Sequence, residues 1–251
     1  MKKFKYLKIS NTKKLRYIDN YKRNNLYIIF LPGFMSDIEG QKPQTIKRYA
    51  IKKDLGFLSL EYQGHGKSSG EFTRGNITKW SIDAQTIIKK IIKKNNFVIV
   101  GSSMGAWIGL NQFKFFKKQI KAFIGIGAAP EFLTRLMWNK FPIKIKREIL
   151  KKKITIIESG QYKYPISLQL IKDGKKNKIY SKKFKSEIFV TMIHGERDEV
   201  VPTSFSRKIL KTFPKAKKRL VIIKKGDHSL SSPKPLKIII KELDRIISNI
   251  V

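Results

Sequence analysis

The chain contains one short serine motif whose residue types and spacing suit covalent catalysis. Gly101 and Gly105 bracket Ser103 in GSSMG, which follows the β-branched run VIV and precedes a helical pattern. A serine at a sharp strand-to-helix turn lies in strained backbone, and the residues two positions before and after it must be very small. The same frame around Ser102 would put valine and methionine at those positions. Ser103 is therefore the candidate nucleophile, and the alternative is a glycine turn without chemistry.

A serine hydroxyl needs a general base and an acid that orients the base. Two histidines follow Ser103 along the chain. His228 comes directly after the last predicted strand, whereas His194 lies within a strand end, where its His-Gly step is interpreted as shaping a turn. Asp198 follows another predicted strand, and the carboxyl ends of parallel strands meet at one edge of a sheet. We therefore predict His228 as the base and Asp198 as the acid.

Three other titratable residues are weaker candidates. Asp173 lies in a region that breaks the strand and helix alternation, and Asp227 adjoins His228, so its side chain is expected to point away. His65 belongs to EYQGHGKSSG, which matches neither the P-loop nor the dinucleotide-binding pattern. We interpret that glycine-rich segment as structural.

The tetrahedral intermediate of acyl transfer needs backbone N–H donors. One is expected from Met104, directly after the candidate nucleophile. The other is expected from Phe34 in LPGF, where Gly33 lets the chain approach the site. The alternative for this loop is a plain Pro-Gly turn.

Composition limits the class of protein. A chain of 251 residues that is 41% hydrophobic can bury one full core, so we expect a single domain over residues 1–251. It contains no cysteine and three histidines, which favours chemistry without a metal or other cofactor. The basic amino terminus alternates with apolar residues and is interpreted as a first strand, not a targeting segment. No apolar run approaches the length of a membrane span. We expect a soluble cytoplasmic protein.

The formal net charge of +37 is the most unusual global feature. Such a surface attracts phosphate, but the lysines are scattered over nearly every element and arginine is scarce. No nucleic-acid motif with interleaved aromatic residues is present, so we predict no specific nucleic-acid partner. The charge is explained either by an A/T-rich coding sequence, which would enrich lysine, isoleucine and asparagine, or by a basic face that attracts anionic substrates.

Apolar periodicity predicts alternating strands and helices. Helical spacing covers residues 43–53, 78–94 and 236–248, and strand-like runs occur at NLYIIFL, GFLSLEY, NFVIVG, IKAFIGIG, EIFVTMIHG and RLVIIKKG. This alternation predicts an α/β fold with a mostly parallel central sheet and helices on both faces. Two basic segments, FKYLKIS and KLRYID, are predicted to form a hairpin at the sheet edge.

The alternation fails over residues 128–185, which we interpret as a small helical cap inserted above the carboxyl ends of the strands. Helical spacing from Glu131 to Asn139 puts several apolar residues on one face. Those apolar residues, with aromatic residues nearby, are Phe132, Leu133, Leu136, Met137, Trp138, Phe141, Tyr162 and Tyr164. This surface either forms the cap's own core or lines a cleft for an acyl chain.

The segments LPGF, EYQGHGKSSG, VGSSMGAW, HGERDEVVP and GDHSL occur in the order typical of α/β-hydrolases. From about Asn25 onward the chain resembles that superfamily, and LPGFMSDIEGQK with VGSSMGAW resembles the branch that includes a mitochondrial palmitoyl-protein thioesterase and acyl-glucuronide esterase. The resemblance implies Ser103 as nucleophile, Asp198 as acid and His228 as base. Glu61 stands where many relatives have Asp. No transit peptide is recognised, so a bacterial cytoplasm is expected instead of a mitochondrion.

These observations predict a serine esterase or thioesterase whose substrate is a small acyl ester or thioester, or an acylated protein. One alternative is a basic binding protein without catalysis on the same fold. The other is an acyltransferase that uses an acceptor different from water. The sequence leaves the oligomeric state open.

Overall fold

Eight strands form one central sheet in the computed structural model, which describes residues 4–20, 26–159 and 162–250. These strands are β1 (Lys5–Lys8), β2 (Lys14–Asn20), β3 (Tyr27–Leu31), β4 (Gly56–Leu60), β5 (Phe97–Ser102), β6 (Ile120–Ile126), β9 (Phe189–Gly195) and β10 (Lys217–Ile223). Two more strands, β7 (Ile154–Ser159) and β8 (Tyr162–Ser167), form a separate hairpin. Residues 1–3 of the predicted first strand and residue 25 of the predicted third lie outside the described residues.

The central sheet has the order β1-β2-β4-β3-β5-β6-β9-β10. β1 pairs antiparallel with β2, and β2 pairs antiparallel with β4, which confirms the predicted edge hairpin. The pairs from β4 to β10 are parallel. Every residue of β3 and β5 is buried, as expected for inner parallel strands covered on both faces.

Helices cover both faces of this sheet. The helices are α1 (Gln41–Lys52), α2 (Ile77–Ile92), α3 (Met104–Phe116), α4 (Ile143–Lys152), α5 (Leu168–Lys176), α6 (Ser204–Lys211) and α7 (Pro233–Ile247). Alternate residues of β3 enter two separate apolar clusters. Ile29 packs in the cluster that contains the buried faces of α2, α3 and α6, and Ile28 packs with those of α1 and α7. The predicted α/β architecture is confirmed.

The predicted cap range contains more than helices. It holds a π-helical segment (Leu133–Trp138), α4, the β7–β8 hairpin and α5. The expectation of little strand structure here was wrong, because the run Ile-Thr-Ile-Ile in β7 has high β-propensity. Pro165 of β8 pairs with Ile156 and is tolerated because this two-stranded sheet consists of edge strands. The prediction of one apolar helical face from Glu131 to Asn139 was also inexact. Leu133–Trp138 is a π-helix, whose turn is wider than that of an α-helix.

Buried polar contacts tie the two ends of this range together. The carboxylate of Glu131 accepts hydrogen bonds from the backbone N–H groups of Ile179 and Tyr180, over 2.8 and 2.9 Å. Trp107 of α3 donates its indole N–H to the carbonyl oxygen of Asn177 over 2.9 Å. These bonds fix the segment to the edge of the sheet where β5 and β6 end. Within the described ranges, no helix is long and apolar enough to cross a membrane.

Candidate active site

Ser103 occupies the turn between β5 and α3. β5 ends at Ser102 and α3 begins at Met104. The φ angle of Ser103 is 52°, a left-handed conformation that costs energy for a residue with a side chain. Its N–H donates to the carbonyl oxygen of Ile126 over 2.8 Å, and its own carbonyl oxygen accepts from the N–H of Ala129 over 3.2 Å. The neighbouring strand therefore holds the strained turn in place.

The two bracketing glycines are required by close packing. A Cβ atom on Gly101 would lie 2.5 Å from the backbone nitrogen of Ala106. A Cβ atom on Gly105 would lie 2.6 Å from the carbonyl oxygen of Pro32, so α3 packs directly against the loop after β3. Ser102 is the buried last residue of β5. The spacing that singles out position 103 in the sequence thus has a steric cause.

Ser103, His228 and Asp198 form a continuous chain of contacts. The Oγ atom of Ser103 lies 3.1 Å from Nε2 of His228, and Nδ1 of His228 lies 2.7 Å from Oδ2 of Asp198. Asp198 follows β9 and His228 follows β10, while Ser103 follows β5, so three parallel strands deliver these side chains to one edge. The His228 side chain is 24% exposed and that of Asp198 is 1% exposed. The imidazole of His228 is therefore accessible to solvent, whereas the carboxylate of Asp198 is shielded from it.

Four N–H groups surround the Asp198 carboxylate. Oδ1 accepts from the backbone N–H groups of Val200 and Val201, over 3.0 and 2.8 Å. Oδ2 faces His228 and also His194, whose Nε2 lies 3.1 Å away. Burial by itself raises the pKa of this carboxyl group, but the hydrogen bonds from His194, His228 and the backbone outweigh it and hold the pKa well below its usual range. Asp198 is therefore an anion at neutral pH.

The contact between His194 and Asp198 is absent from the sequence prediction. His194 lies in β9 and is completely buried, so its ring nitrogens need partners inside the protein. Only the position of His194 in a predicted strand, four residues before the predicted acid, could have suggested this contact, and that spacing alone does not fix where the two side chains point.

The expected oxyanion donors, Met104 and Phe34, belong to two segments that pass beside Ser103. Met104 is the first residue of α3, where backbone N–H groups have no acceptor within the helix. A Cβ atom on Gly33 would lie 3.4 Å from Cβ of Ser103, so the loop after β3 passes directly beside the candidate nucleophile. The N–H of Ser36 closes a turn on the carbonyl oxygen of Gly33 over 3.3 Å. Phe34 is the second residue of that turn, and its role as a donor stays a prediction.

The weaker candidates lie apart from this contact chain. Asp173 accepts from the N–H and the hydroxyl of Thr78, over 2.9 and 2.7 Å, and Asp227 accepts from the N–H of Leu230 over 2.8 Å. His65 is buried, and burial lowers its pKa to about 4. Within the part of the chain that the structure describes, no three His, Asp or Glu side chains are grouped to hold a metal ion.

Glu61 organises the glycine-rich segment that follows β4. Its carboxylate accepts from the backbone N–H of Lys67 over 2.7 Å and lies 3.5 Å from Nη1 of Arg16, which is also buried. Burial raises the pKa of Glu61, although these neighbours act in the opposite direction. Gly66 is packed against the Glu61 carboxylate. The segment EYQGHGKSSG therefore has a structural explanation that needs no ligand.

The fold is shared with solved structures. A structure of alpha/beta hydrolase domain-containing protein 10 from mouse superimposes with a TM-score of 0.88 and 23% identity, covering 99% of this chain and 100% of the other. A solved protein of Agrobacterium vitis S4 gives a TM-score of 0.92 and 23% identity, covering 98% and 99%. The chain has the α/β-hydrolase fold. This confirms the fold that the sequence resemblance implies.

A curated relative extends the similarity. The palmitoyl-protein thioesterase ABHD10 of Bos taurus, named as mitochondrial, is 24% identical over 226 residues, covering 89% of this chain and 73% of the relative. The chain matches no family model. The predicted resemblance to the thioesterase branch of the α/β-hydrolases is thus confirmed, while the expected cytoplasmic location stays a prediction.

An aromatic cluster joins the α/β-hydrolase core to the cap range beside the nucleophile turn. The ring of Phe34 packs edge-on against Phe72 and Phe132, with ring centroids 4.9 and 5.4 Å away. Tyr164 of β8 lies 5.9 Å from the same ring. Phe132 is buried, whereas Phe34 and Tyr164 are half-buried. The side chain of Tyr162, named with them in the sequence analysis, lies outside the described residues.

Lys42 of α1 fixes the loop that carries His228. Its ammonium group donates to the carbonyl oxygen of Ser229 and, over 2.9 Å, to the hydroxyl of Ser231. Burial lowers the pKa of Lys42 to about 8, although the charge of Asp227 acts in the opposite direction. The first helix thereby holds a loop from the far end of the chain.

Proposed function

We propose that this chain is a serine hydrolase that cleaves carboxylic ester or thioester bonds through an acyl-Ser103 intermediate. The observation that carries the proposal is the run of contacts from Ser103 Oγ through the His228 ring to Asp198, over 3.1 and 2.7 Å. A hydroxyl, an imidazole and a carboxylate in this arrangement are the parts needed for nucleophilic acyl transfer.

In the first half-reaction, Ser103 Oγ attacks the acyl carbonyl carbon while Nε2 of His228 takes the hydroxyl proton. Asp198 holds the proton on Nδ1 of His228 and stabilises the imidazolium that forms. The carbonyl oxygen becomes an oxyanion, for which the N–H groups of Met104 and Phe34 are the proposed donors. As the tetrahedral intermediate collapses, His228 gives its proton to the leaving alcohol or thiol.

In the second half-reaction, a water molecule replaces the leaving group. His228 takes a proton from this water, whose oxygen attacks the acyl carbon of the Ser103 ester. A second tetrahedral intermediate collapses, the carboxylic acid leaves, and Ser103 regains its proton from His228. The base therefore acts twice, and its partial exposure gives water access to it.

The relatives favour hydrolysis over the two alternatives. The curated relative is named a palmitoyl-protein thioesterase, and the mouse structure is named an alpha/beta hydrolase. We therefore extend the proposal to thioesters. A basic binding protein without catalysis would need neither the strained turn at Ser103 nor the buried carboxylate of Asp198 next to His228.

The proposed acyl site lies along the aromatic cluster of Phe34, Phe132 and Tyr164. Phe34 directly follows the glycine that passes beside Ser103, so an acyl group bonded to Ser103 would meet this apolar wall. Each methylene that it buries would add about 0.8 kcal/mol to binding. We propose medium or long acyl chains as the preferred substrates.

The net charge of +37 favours substrates with an anionic leaving group, such as a coenzyme A thioester or an acyl glucuronide. Attraction between the basic surface and such groups speeds encounter and is screened by salt. The same charge would bring the protein to acylated proteins with acidic surfaces.

A fluorophosphonate probe tests the proposal because it reacts with an activated serine and not with an ordinary one. We expect the probe to label the wild-type protein at Ser103 and to leave the Ser103→Ala variant unlabelled. Absence of labelling in the folded wild-type protein would favour the binding-protein alternative.

A further inference from the structure

His194 is a fully buried histidine with hydrogen-bond partners on both ring nitrogens. Its Nδ1 lies 2.8 Å from the hydroxyl oxygen of Ser206 on α6. Its Nε2 lies 2.8 Å from the carbonyl oxygen of Val201 and 3.1 Å from Oδ2 of Asp198. The ring therefore connects β9, the loop that carries Asp198, and α6.

These partners fix the position of the ring proton. Val201 and Asp198 offer only acceptor oxygens to Nε2, so Nε2 must carry a hydrogen. Ser206 has a hydroxyl that can donate, so Nδ1 can accept from it. The tautomer with hydrogen on Nε2 satisfies every partner without placing a charge on the ring.

Asp198 Oδ2 then receives N–H groups from two imidazole rings. The stronger contact, over 2.7 Å, comes from His228, and the second, over 3.1 Å, comes from His194. Oδ1 is already occupied by the N–H groups of Val200 and Val201. The single Nε2–H of His194 is shared between Asp198 Oδ2 and the nearer carbonyl oxygen of Val201, so it restrains the carboxylate as the weaker branch of a bifurcated contact.

We propose that His194 is a positioning residue that acts on His228 through Asp198. Its Nε2–H holds Oδ2 in the plane that His228 needs and shares the negative charge of the carboxylate. The Ser206 hydroxyl keeps the hydrogen of His194 on Nε2. This inference rests on the proposed function, since it assigns His194 to the same triad.

Removal of the His194 donor has two expected effects on that triad. The carboxylate becomes less firmly oriented, so kcat falls while KM changes little. Without His194, the negative charge of Asp198 is no longer shared with a second imidazole. Asp198 then stabilises the His228 imidazolium more strongly, so the acid limb of the pH–rate profile moves to higher pH. Other charged groups beside the His228 loop are Lys42, Glu196, Arg197 and Asp227, whereas the partners of His194 are Ser206, Val201 and Asp198.

The test compares His194→Leu, which removes the donor, with His194→Gln, whose amide N–H can reach the same oxygen. With p-nitrophenyl butyrate as substrate, we expect His194→Leu to lower kcat about ten- to a hundredfold, the range for losing one hydrogen bond to a charged group. We expect His194→Gln to recover most of the rate and the wild-type pH profile. His65→Leu is the matched control, because His65 is equally buried but has no contact with Asp198.

Several outcomes would overturn the inference. If His194→Leu keeps the wild-type kcat and pH profile, or if it behaves like His65→Leu by losing only stability, His194 is merely a core residue. If neither variant folds, nitrogen-detected NMR of the wild-type protein decides, since a hydrogen on Nδ1 of His194 and none on Nε2 would contradict the proposed contact. Failure of the proposed function is a separate result, namely a Ser103→Ala protein that keeps the wild-type rate.

Discussion

Ser103 Oγ lies 3.1 Å from Nε2 of His228, although 125 residues separate the two in the chain. The contact depends on β5 and β10 ending at the same edge of the sheet, with β6 and β9 between them. It also depends on the loop after β10, which Lys42 of α1 holds from the side. The contact between Ser103 and His228 therefore depends on four neighbouring strands and on α1.

Gly105→Ala should damage this geometry through packing. The added methyl group would lie 2.6 Å from the Pro32 carbonyl oxygen and would push α3 away from the loop after β3. We expect a loss of about 1–3 kcal/mol in the free energy of unfolding, measured by urea denaturation, together with a large loss of turnover.

Gly40→Ala is the control for that substitution, because a Cβ atom at position 40 would meet nothing within 4 Å. It should cost about 1 kcal/mol or less, as expected for a change at a helix N-cap. Equal stability losses in the two variants would show that the close approach of α3 to the carbonyl groups of Leu31 and Pro32 carries no special cost.

The buried His65 should make the protein sensitive to acid. Burial lowers the pKa of His65 to about 4, whereas an unfolded histidine has a pKa of about 6.5. The unfolded chain therefore binds the proton first, and stability falls as pH drops from about 6.5 to about 4, by up to about 3 kcal/mol. Urea denaturation across this range measures the slope.

His65→Phe should flatten that slope, because the ring can still pack against Trp80 but has no proton to bind. Below about pH 4 both proteins should lose further stability, since the lowered pKa of Asp198 stabilises the fold only where the unfolded carboxyl is ionised. An unchanged slope between pH 6.5 and 4 in His65→Phe would assign the acid sensitivity to other groups.

Substrate preference should follow chain length and charge. We expect octanoyl-coenzyme A to be cleaved with a higher kcat/KM than p-nitrophenyl acetate, because the longer chain meets the wall of Phe34, Phe132 and Tyr164. The advantage of the anionic thioester should shrink in about 0.5 M salt, where screening is strong. Steady-state kinetics at two salt concentrations measure both effects.

Tyr164→Ala separates the two contributions, since it should lower the preference for octanoyl over acetyl groups and leave the salt dependence unchanged. A strict preference for acetyl esters that is insensitive to salt would contradict both parts and indicate a small-ester carboxylesterase.

The sequence predicted the parts of the molecule that local pattern determines. The elbow glycines follow from sterics around Ser103, and the central strands follow from β-branched runs that are buried on both faces. The β7–β8 hairpin was missed because ITIIES does not alternate regularly between apolar and polar residues, and Ile156 is an apolar residue on the exposed face. The contacts of His194 and Lys42 were missed because they join residues from different elements, which no single-sequence pattern records.

Asp198→Asn should cost about ten-thousandfold in kcat, because an amide facing Nδ1 leaves His228 in the wrong tautomer. The control is Asp173→Asn, since Asp173 bonds to Thr78 and Asn177 and has no contact with His228. Near-normal turnover by Asp198→Asn would move the acid role to another carboxylate, with Glu199 the next to be replaced.

The measurement that tests the central claim most directly is the turnover of Ser103→Ala beside Ser102→Ala. The two serines are adjacent, but only Ser103 lies at the strained turn within reach of His228. We predict that Ser103→Ala loses about a million-fold in kcat, the cost of removing a member of a triad that acts as a unit, while Ser102→Ala keeps much of its activity. An active Ser103→Ala protein beside an inactive Ser102→Ala protein would contradict the account.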